Sequence, residues 1–290
     1  MAMTDIEAAG GAHFKIGGGL DWLLVVGGVA WGMGDAPVTR IDASGNVLGT
    51  TTLPGSVCLA PDQGFGSVWA ASCGSPNLLR LDPVTGAIQA TIPLPVGDVH
   101  PEGSVGVSGE AVWAISADEQ TLVKVDPISN TVTGTYPAPK SAVAVRGGFG
   151  SLWITAPTLD TLYRVDPNDA RVTATIKVAS APRFLTVGGD AVWTLNQGNG
   201  TVSHVDPATN IVKADIPVDT GFVEGGDIAA GGGAVWARVT NSLIVRIDPT
   251  TDAVTANYGP AAGSGSVAAN DSAIWVTAHD SNSVWRLPHS

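Results

Sequence analysis

Tryptophan returns at a near-constant interval along this chain. Trp31, Trp69, Trp113, Trp153, Trp193, Trp236 and Trp275 stand about 38 to 44 residues apart. A period of that length marks a repeat architecture, in which one unit cannot bury its apolar face alone and needs its neighbours. Each tryptophan sits in a short apolar run such as Ala111-Val112-Trp113-Ala114-Ile115, and a second run follows, ending as at Val125-Asp126-Pro127. Runs this short, separated by tight turns such as Gly109-Glu110 and Gly189-Asp190, read as antiparallel strands joined by hairpins.

Four strands fit each repeat. In the third they fall at 104–107, 111–116, 122–126 and 131–136, named a to d from the centre outward. The expected fold class is all-β, a seven-bladed β-propeller of four-stranded blades forming a single domain over 1–290. Its blades lie at about 20–55, 56–95, 102–138, 140–179, 182–218, 225–260 and 264–290. The seventh repeat has no outer strand of its own. Residues 12–16 parallel the outer strand Ala174-Thr175-Ile176-Lys177-Val178 of blade four, so this N-terminal strand is expected to complete blade seven and close the ring. An open seam would expose unpaired strand edges.

Between strands c and d runs Asp-Pro-x-x-Gly/Asn, at 82–86, 126–130 and 206–210. The Asp accepts turn hydrogen bonds, Pro presets φ, and the fifth residue should be left-handed. Asn46 and Asp252 are expected in that last role too. Ala170 brings a Cβ to the same place, which predicts a strained or reshaped turn in blade four. Blades two and four also carry Gly-Phe-Gly insertions at 64–66 and 148–150, between strands a and b. They lie on the face away from the start of strand a.

A formal net charge of -12 opposes nucleic acid, because phosphate binding needs clustered cations. No run approaches the roughly 18 apolar residues of a membrane helix, so no membrane partner is expected. Residues 1–10 lack signal-peptide character; the compartment is cytoplasmic, or periplasmic or secreted if a signal has been replaced by the Met-Ala-Met start. A monomer is expected.

One tryptophan per blade at one strand position is a packing wedge rather than a binding ladder. Chemistry is sought instead where the repeat is broken, on the face where the d-to-a and b-to-c connections meet the channel mouth. Strand a opens there with Trp22 in blade one and Asp227 in blade six, and Arg238 lies on strand b of blade six. With the hairpin length of blade three, Asp227 and Arg238 fall opposite each other as a cross-strand charge pair, either a structural bridge or a substrate anchor. Arg183 precedes strand a of blade five, and Trp22, Arg183, Asp227 and Arg238 form the candidate substrate-binding set. His100 and Glu102 precede strand a of blade three, Glu224 that of blade six, and His279 follows strand b of blade seven. A His with carboxylates across a mouth can act as general base and acid, or hold a divalent cation. No fixed-spacing metal motif is present, so metal ligands stay unassigned. Cys58 and Cys73 start strand a and end strand b of blade two, close enough for a disulfide, with reduced thiols as the alternative.

Ala111-Val112-Trp113, Ser151-Leu152-Trp153-Ile154-Thr155, Ile274-Trp275-Val276-Thr277 and the Val-Asp-Pro turns resemble bacterial propellers of the streptogramin (virginiamycin B) lyase and Tyr-Val-Thr-Asn repeat type. The resemblance spans nearly the whole chain and rests on blade-building residues. It implies the propeller fold and, in the lyases, opening of a macrocyclic ester by elimination, using a magnesium ion with His and Glu at the mouth. Where those lyases carry a His after a proline before strand a, this chain reads His100-Pro101-Glu102-Gly103, with Gly225 and Ser264 at the matching places of blades six and seven. The location carries over, and the catalytic pattern does not. The leading expectation is therefore a lyase-like acid/base enzyme acting on a small-molecule ligand at the mouth. The alternative is a noncatalytic ligand- or protein-binding propeller.

Overall fold

Apolar residues alternate at strand period through each repeat, and each tryptophan lies in a run of consecutive buried residues, as a strand covered on both faces should. In the computed structural model, which describes residues 2–35 and 37–288, these runs form seven antiparallel sheets arranged as the blades of a propeller. Blade three is representative: Gly106–Ser108, Ala111–Ile115, Thr121–Asp126 and Thr131–Pro137 pair in that order. Positions 289–290 of the expected seventh blade lie outside the described residues.

The seven repeat tryptophans are at most 3 % exposed. Burying roughly 200 Å² of indole at ~25 cal/mol/Å² contributes about 5 kcal/mol each before entropy is counted. On strand c, a cation covers the indole face in six blades: Arg40, Arg80, Lys124, Arg164, Arg246 and Arg286 stand 5.1 to 6.0 Å from the ring. In blade five His204 takes that place, stacked on Trp193 at 4.1 Å. Near the axis the inner strands of blades three and four pass so closely that a Cβ at Gly147 would sit 1.8 Å from the Val107 carbonyl oxygen, which only glycine permits.

The ring closes as expected. Ala12–Lys15 pairs antiparallel with Ser283–Pro288 as the outer strand of blade seven. His13 stacks on Trp285 at 4.6 Å, and Lys15 Nζ donates to Ser283 Oγ at 2.7 Å. A second clasp precedes it: Thr4–Asp5 lies parallel to the outer strand Ala253–Gly259 of blade six, and Ile6 is fully buried beside it. The N-terminal segment therefore spans the seam between the last two blades.

The Asp-Pro turns share one hydrogen bond, from the fifth residue's N–H to the Asp carbonyl, at 2.8 to 3.0 Å in blades two to six. Ala170 keeps this turn at φ 59°, so blade four accepts strain rather than a new shape. Asp252 is left-handed, at φ 55°. Asn46 is not. Gly45 takes the positive φ in blade one, while Asn46 binds the Asp42 carboxylate through its backbone and side-chain amides. A glycine one residue earlier lets the turn tighten.

Deleting residues 2–18 removes both clasps and exposes the edge of Ser283–Pro288. The expected result is loss of cooperative unfolding, or a fall of several kcal/mol in a urea titration, since a buried isoleucine alone is worth about 2 to 5 kcal/mol. Ala170→Gly should instead raise stability by about 0.5 to 1 kcal/mol in the same assay, because glycine adopts φ near +60° without a Cβ penalty.

Candidate active site at the channel mouth

Inner strands point side chains of one parity into the axial channel. Opposite the repeat tryptophans stand Leu24, Asp62, Gly106, Arg146, Thr186, Ala229 and Ala268. Two of the seven are charged. Arg146 Nη1 donates to the Pro61 and Val105 carbonyls at 2.9 and 2.8 Å and lies 3.8 Å from Asp62 Oδ2, joining the inner strands of blades two, three and four. Burial raises the Asp62 pKa, and Arg146 opposes the shift. The channel here encloses about 240 Å³, and Asp227 lines it nearer the mouth.

At the mouth, a cavity of about 210 Å³ is bordered by Asp21, Asp35, Cys58, Glu102 and His279. The chain reaches it from blades one, two, three and seven. Blade two's inner strand is broken here into Ser56–Val57 and Asp62–Gly64. Cys58 lies in the break, and its disulfide to Cys73 ties the loop to the adjacent strand across a Cα–Cα distance of 5.9 Å. Closing a 15-residue loop contributes about 3 kcal/mol. Glu102 sits in the connection into blade three at φ 60°, a conformation that costs a non-glycine residue about 1 to 2 kcal/mol.

The mouth is electrostatically crowded. Burial raises the Glu102 pKa, and the Asp21 and Asp227 charges raise it further, against Arg183 and His279. Asp21 is raised as well, first by burial and then by Asp280 and Asp35, with His279 opposing. His279 Nδ1 lies 3.0 Å from Asp280 Oδ1 but off the line of a hydrogen bond, and it has no other partner among the described residues. Glu102 and His279 thus share one cavity, joined by Asp21 and Asp35, which the repeat alignment did not single out. Their signal in the sequence was a pair of carboxylates flanking blade one's first two strands.

The remaining candidates disperse. His100 is packed away, with Nδ1 2.5 Å from the Pro101 carbonyl oxygen and Nε2 3.5 Å from Glu119, and it does not line the cavity. Glu224 is exposed and does not line it either. Trp22 is 3 % exposed and packs on Phe184 in the core, so it offers no face to a ligand. Arg183 is half-buried, acts electrostatically on Glu102, and has no side-chain hydrogen bond among the described residues.

Asp227 and Arg238 are opposite each other in register, yet the expected charge pair does not form. Asp227 accepts from Ser266 Oγ at 2.5 Å and from the Ile228 N–H at 2.8 Å, and burial raises its pKa. Arg238, 1 % exposed, donates to the carbonyls of Thr277, Val239, Ser242, Ala262 and Gly263. Burial lowers its pKa to about 10, so it stays charged at neutral pH and neutralises carbonyl dipoles, not a carboxylate. It cannot anchor a substrate.

A magnesium ion, implied by the lyase resemblance, needs several oxygen ligands converging on one point. Among the described residues no three His, Cys, Asp or Glu side chains are grouped to hold a metal ion. The mouth carboxylates therefore do not fit such a site.

Arg238→Leu should cost about 3 kcal/mol or more in chemical denaturation, because five buried acceptors lose one donor group. Asp227→Asn, which keeps the hydrogen-bonding shape, should cost much less.

No protein-family model matches the chain, and no curated protein sequence does. Solved structures match well in shape. Virginiamycin B lyase from Staphylococcus aureus superposes with a TM-score of 0.81 at 16% identity, covering 96% of this chain and 98% of that one. A catalytically inactive form of that lyase with quinupristin gives the same values. A streptogramin B lyase gives 0.81 at 17% identity over 95% and 96% of the two chains. U3-55K gives 0.78 at 10% identity, over 96% and 98%. At such identities the likeness is one of fold, and the chain is a seven-bladed β-propeller similar to the streptogramin lyases.

Proposed function

We propose that the mouth performs acid/base chemistry of the elimination class on a small molecule. The observation that carries this reading is the cavity that Glu102 and His279 share, in which the carboxyl is biased toward its protonated form and the imidazole has Asp280 behind its Nδ1. A carboxyl biased toward its acid form sharing a cavity with an imidazole is an arrangement on which concerted proton transfer can draw. His279 is the base. Its imidazole removes a proton from carbon beside a carbonyl, the C–H electrons form the new double bond, and the β carbon–oxygen bond breaks. Glu102 gives its proton to the departing oxygen. Asp280, beside His279 Nδ1, stabilises the imidazolium that results.

The likeness to lyases supports the class of reaction, and the structure with quinupristin supplies a first substrate to try. Elimination within a ring opens it without changing its mass, whereas hydrolysis adds one water. Wild-type protein incubated with quinupristin is therefore expected to give a product of unchanged mass and altered chromatographic retention. Glu102→Gln and His279→Ala should each lower kcat by about 100-fold or more at unchanged melting temperature. Product heavier by one water would sink the elimination reading, and full activity in either variant would remove that residue from the site. Saturable binding without turnover would assign a noncatalytic ligand-binding propeller.

The pH dependence has a definite sign. Glu102 must be protonated to act as the acid, so activity should fall as pH rises through its raised pKa. That alkaline limb should be absent from the residual rate of Glu102→Gln.

A further inference from the structure

The opposite face of the ring holds two features that the mouth does not use. The turns between the first two strands of blades two and four carry Phe65 and Phe149, at φ 53° and 52°. A left-handed backbone is an outlier for a bulky residue, and such strain persists where function retains it. Neither ring is repaid by burial: Phe65 is 41% and Phe149 43% exposed, and neither joins a core cluster. Glycine follows each, at φ 67°.

Two more large apolar side chains lie on the same face. Val84 and Ile128, third residues of Asp-Pro turns, are 77% and 89% exposed, where blades four, five and six have Asn168, Ala208 and Thr250. Phe65 and Ile128 belong to one neighbourhood, because Arg80 donates to the carbonyls of Phe65 and Pro127 at 3.4 and 2.6 Å. Arg164 ties Phe149 to the next turn in the same way, at 3.4 and 2.7 Å to the carbonyls of Phe149 and Pro207.

Charge decides what fits there. Asp82, Asp126 and Asp166 are held below the usual carboxylate range by turn hydrogen bonds, led by the N–H groups of Thr85, Ile128 and Asn168. They stay ionised at neutral pH, and Glu110 adds a further exposed carboxylate in blade three. Arg80, Lys124 and Arg164 are committed to the turn carbonyls of the following blades. The face is thus apolar in spots and anionic between them. A second copy of this chain would meet like charge, and so would an anionic membrane or a nucleic acid.

We propose that the arc of blades two to four around Phe65, Ile128 and Phe149 is a docking surface for a protein segment that carries apolar side chains flanked by Lys or Arg. Aromatic anchors surrounded by complementary charge are the pattern of binding hot spots. Phe65 and Phe149 are the anchors, and the Asp turns select for basic flanks.

The test uses defined probes and the full chain. A synthetic peptide of alternating Leu and Lys, and its Leu and Glu counterpart, would be titrated into wild type and into the Phe65→Ser/Phe149→Ser double variant by calorimetry. The proposal expects the Lys peptide to bind wild type, to weaken as salt rises, and to lose about 10-fold or more in affinity with the double variant. Equal affinity for wild type and variant would overturn the site, and so would equal binding of the Glu peptide. Vesicles containing phosphatidylglycerol serve as a second probe. Binding to them that the double variant loses would replace the protein partner with a membrane. Phe65→Gly and Phe149→Gly relieve the left-handed strain, so each should raise the melting temperature while weakening the peptide. A fall in melting temperature would mean that the rings are structural, against the proposal.

Discussion

Blades one to four are each held to the next by a cation that lies over its own tryptophan and reaches into its neighbour's turn. Arg40 donates to the Val84 carbonyl, Arg80 to Pro127, Lys124 to Pro167 and Arg164 to Pro207. His204 completes the series by meeting Asp252 at 2.6 Å. A charged hydrogen bond and a cation–π contact together are worth about 2 kcal/mol per interface. In blades one to six the register shifts just after this residue, and such bulges increase twist and aim the side chain across the gap. The latch needs a turn in front of it. Arg246 donates instead to Thr255 of its own blade, and the seam that follows is bridged by the N-terminal clasps.

Because the latches and Asp-Pro turns lie on one face, that face can vary little without loosening the ring. At the mouth the ties are local, as where Arg238 and Asp227 join blade six to blade seven. There the broken inner strand, the disulfide, and left-handed residues at Glu102, Ser141 and Ala181 appear in connections that enter blades two to five. Irregular backbone at the mouth brings Glu102 among Asp21, Asp227 and His279 while the blades below stay regular. Few cations answer these carboxylates, and so burial, with mutual repulsion at Asp21 and Glu102, biases them toward their protonated forms.

The propeller was legible in the sequence because a packing wedge and a turn, repeated seven times, leave little choice of fold. Hairpin length likewise placed Asp227 opposite Arg238 in register. What register could not say was where a long side chain ends. Arg238 extends toward the carbonyls of Ala262 and Gly263, in a loop whose path no local pattern predicts. Trp22 opens a strand exactly as a mouth residue would by alignment, yet it turns into the core against Phe184. His100 is drawn to Glu119, Asp21 and Asp35 enter from the first blade's strand ends, and Thr4–Asp5 pairs with blade six through a contact that no repeat contains.

The same division explains why likeness of shape leaves function open. Trp153 with its indole N–H on the Gly148 carbonyl at 3.1 Å, Arg164 over its ring and the turn that Arg164 grasps all build the ring. Closing the ring therefore constrains the strand and turn positions, while the shape of the mouth is set by the connections. A propeller can exchange side chains in its mouth connections without altering the regular strands. In this chain Glu102 stands in a left-handed connection and His279 begins a single 3₁₀ turn, both outside the regular strands.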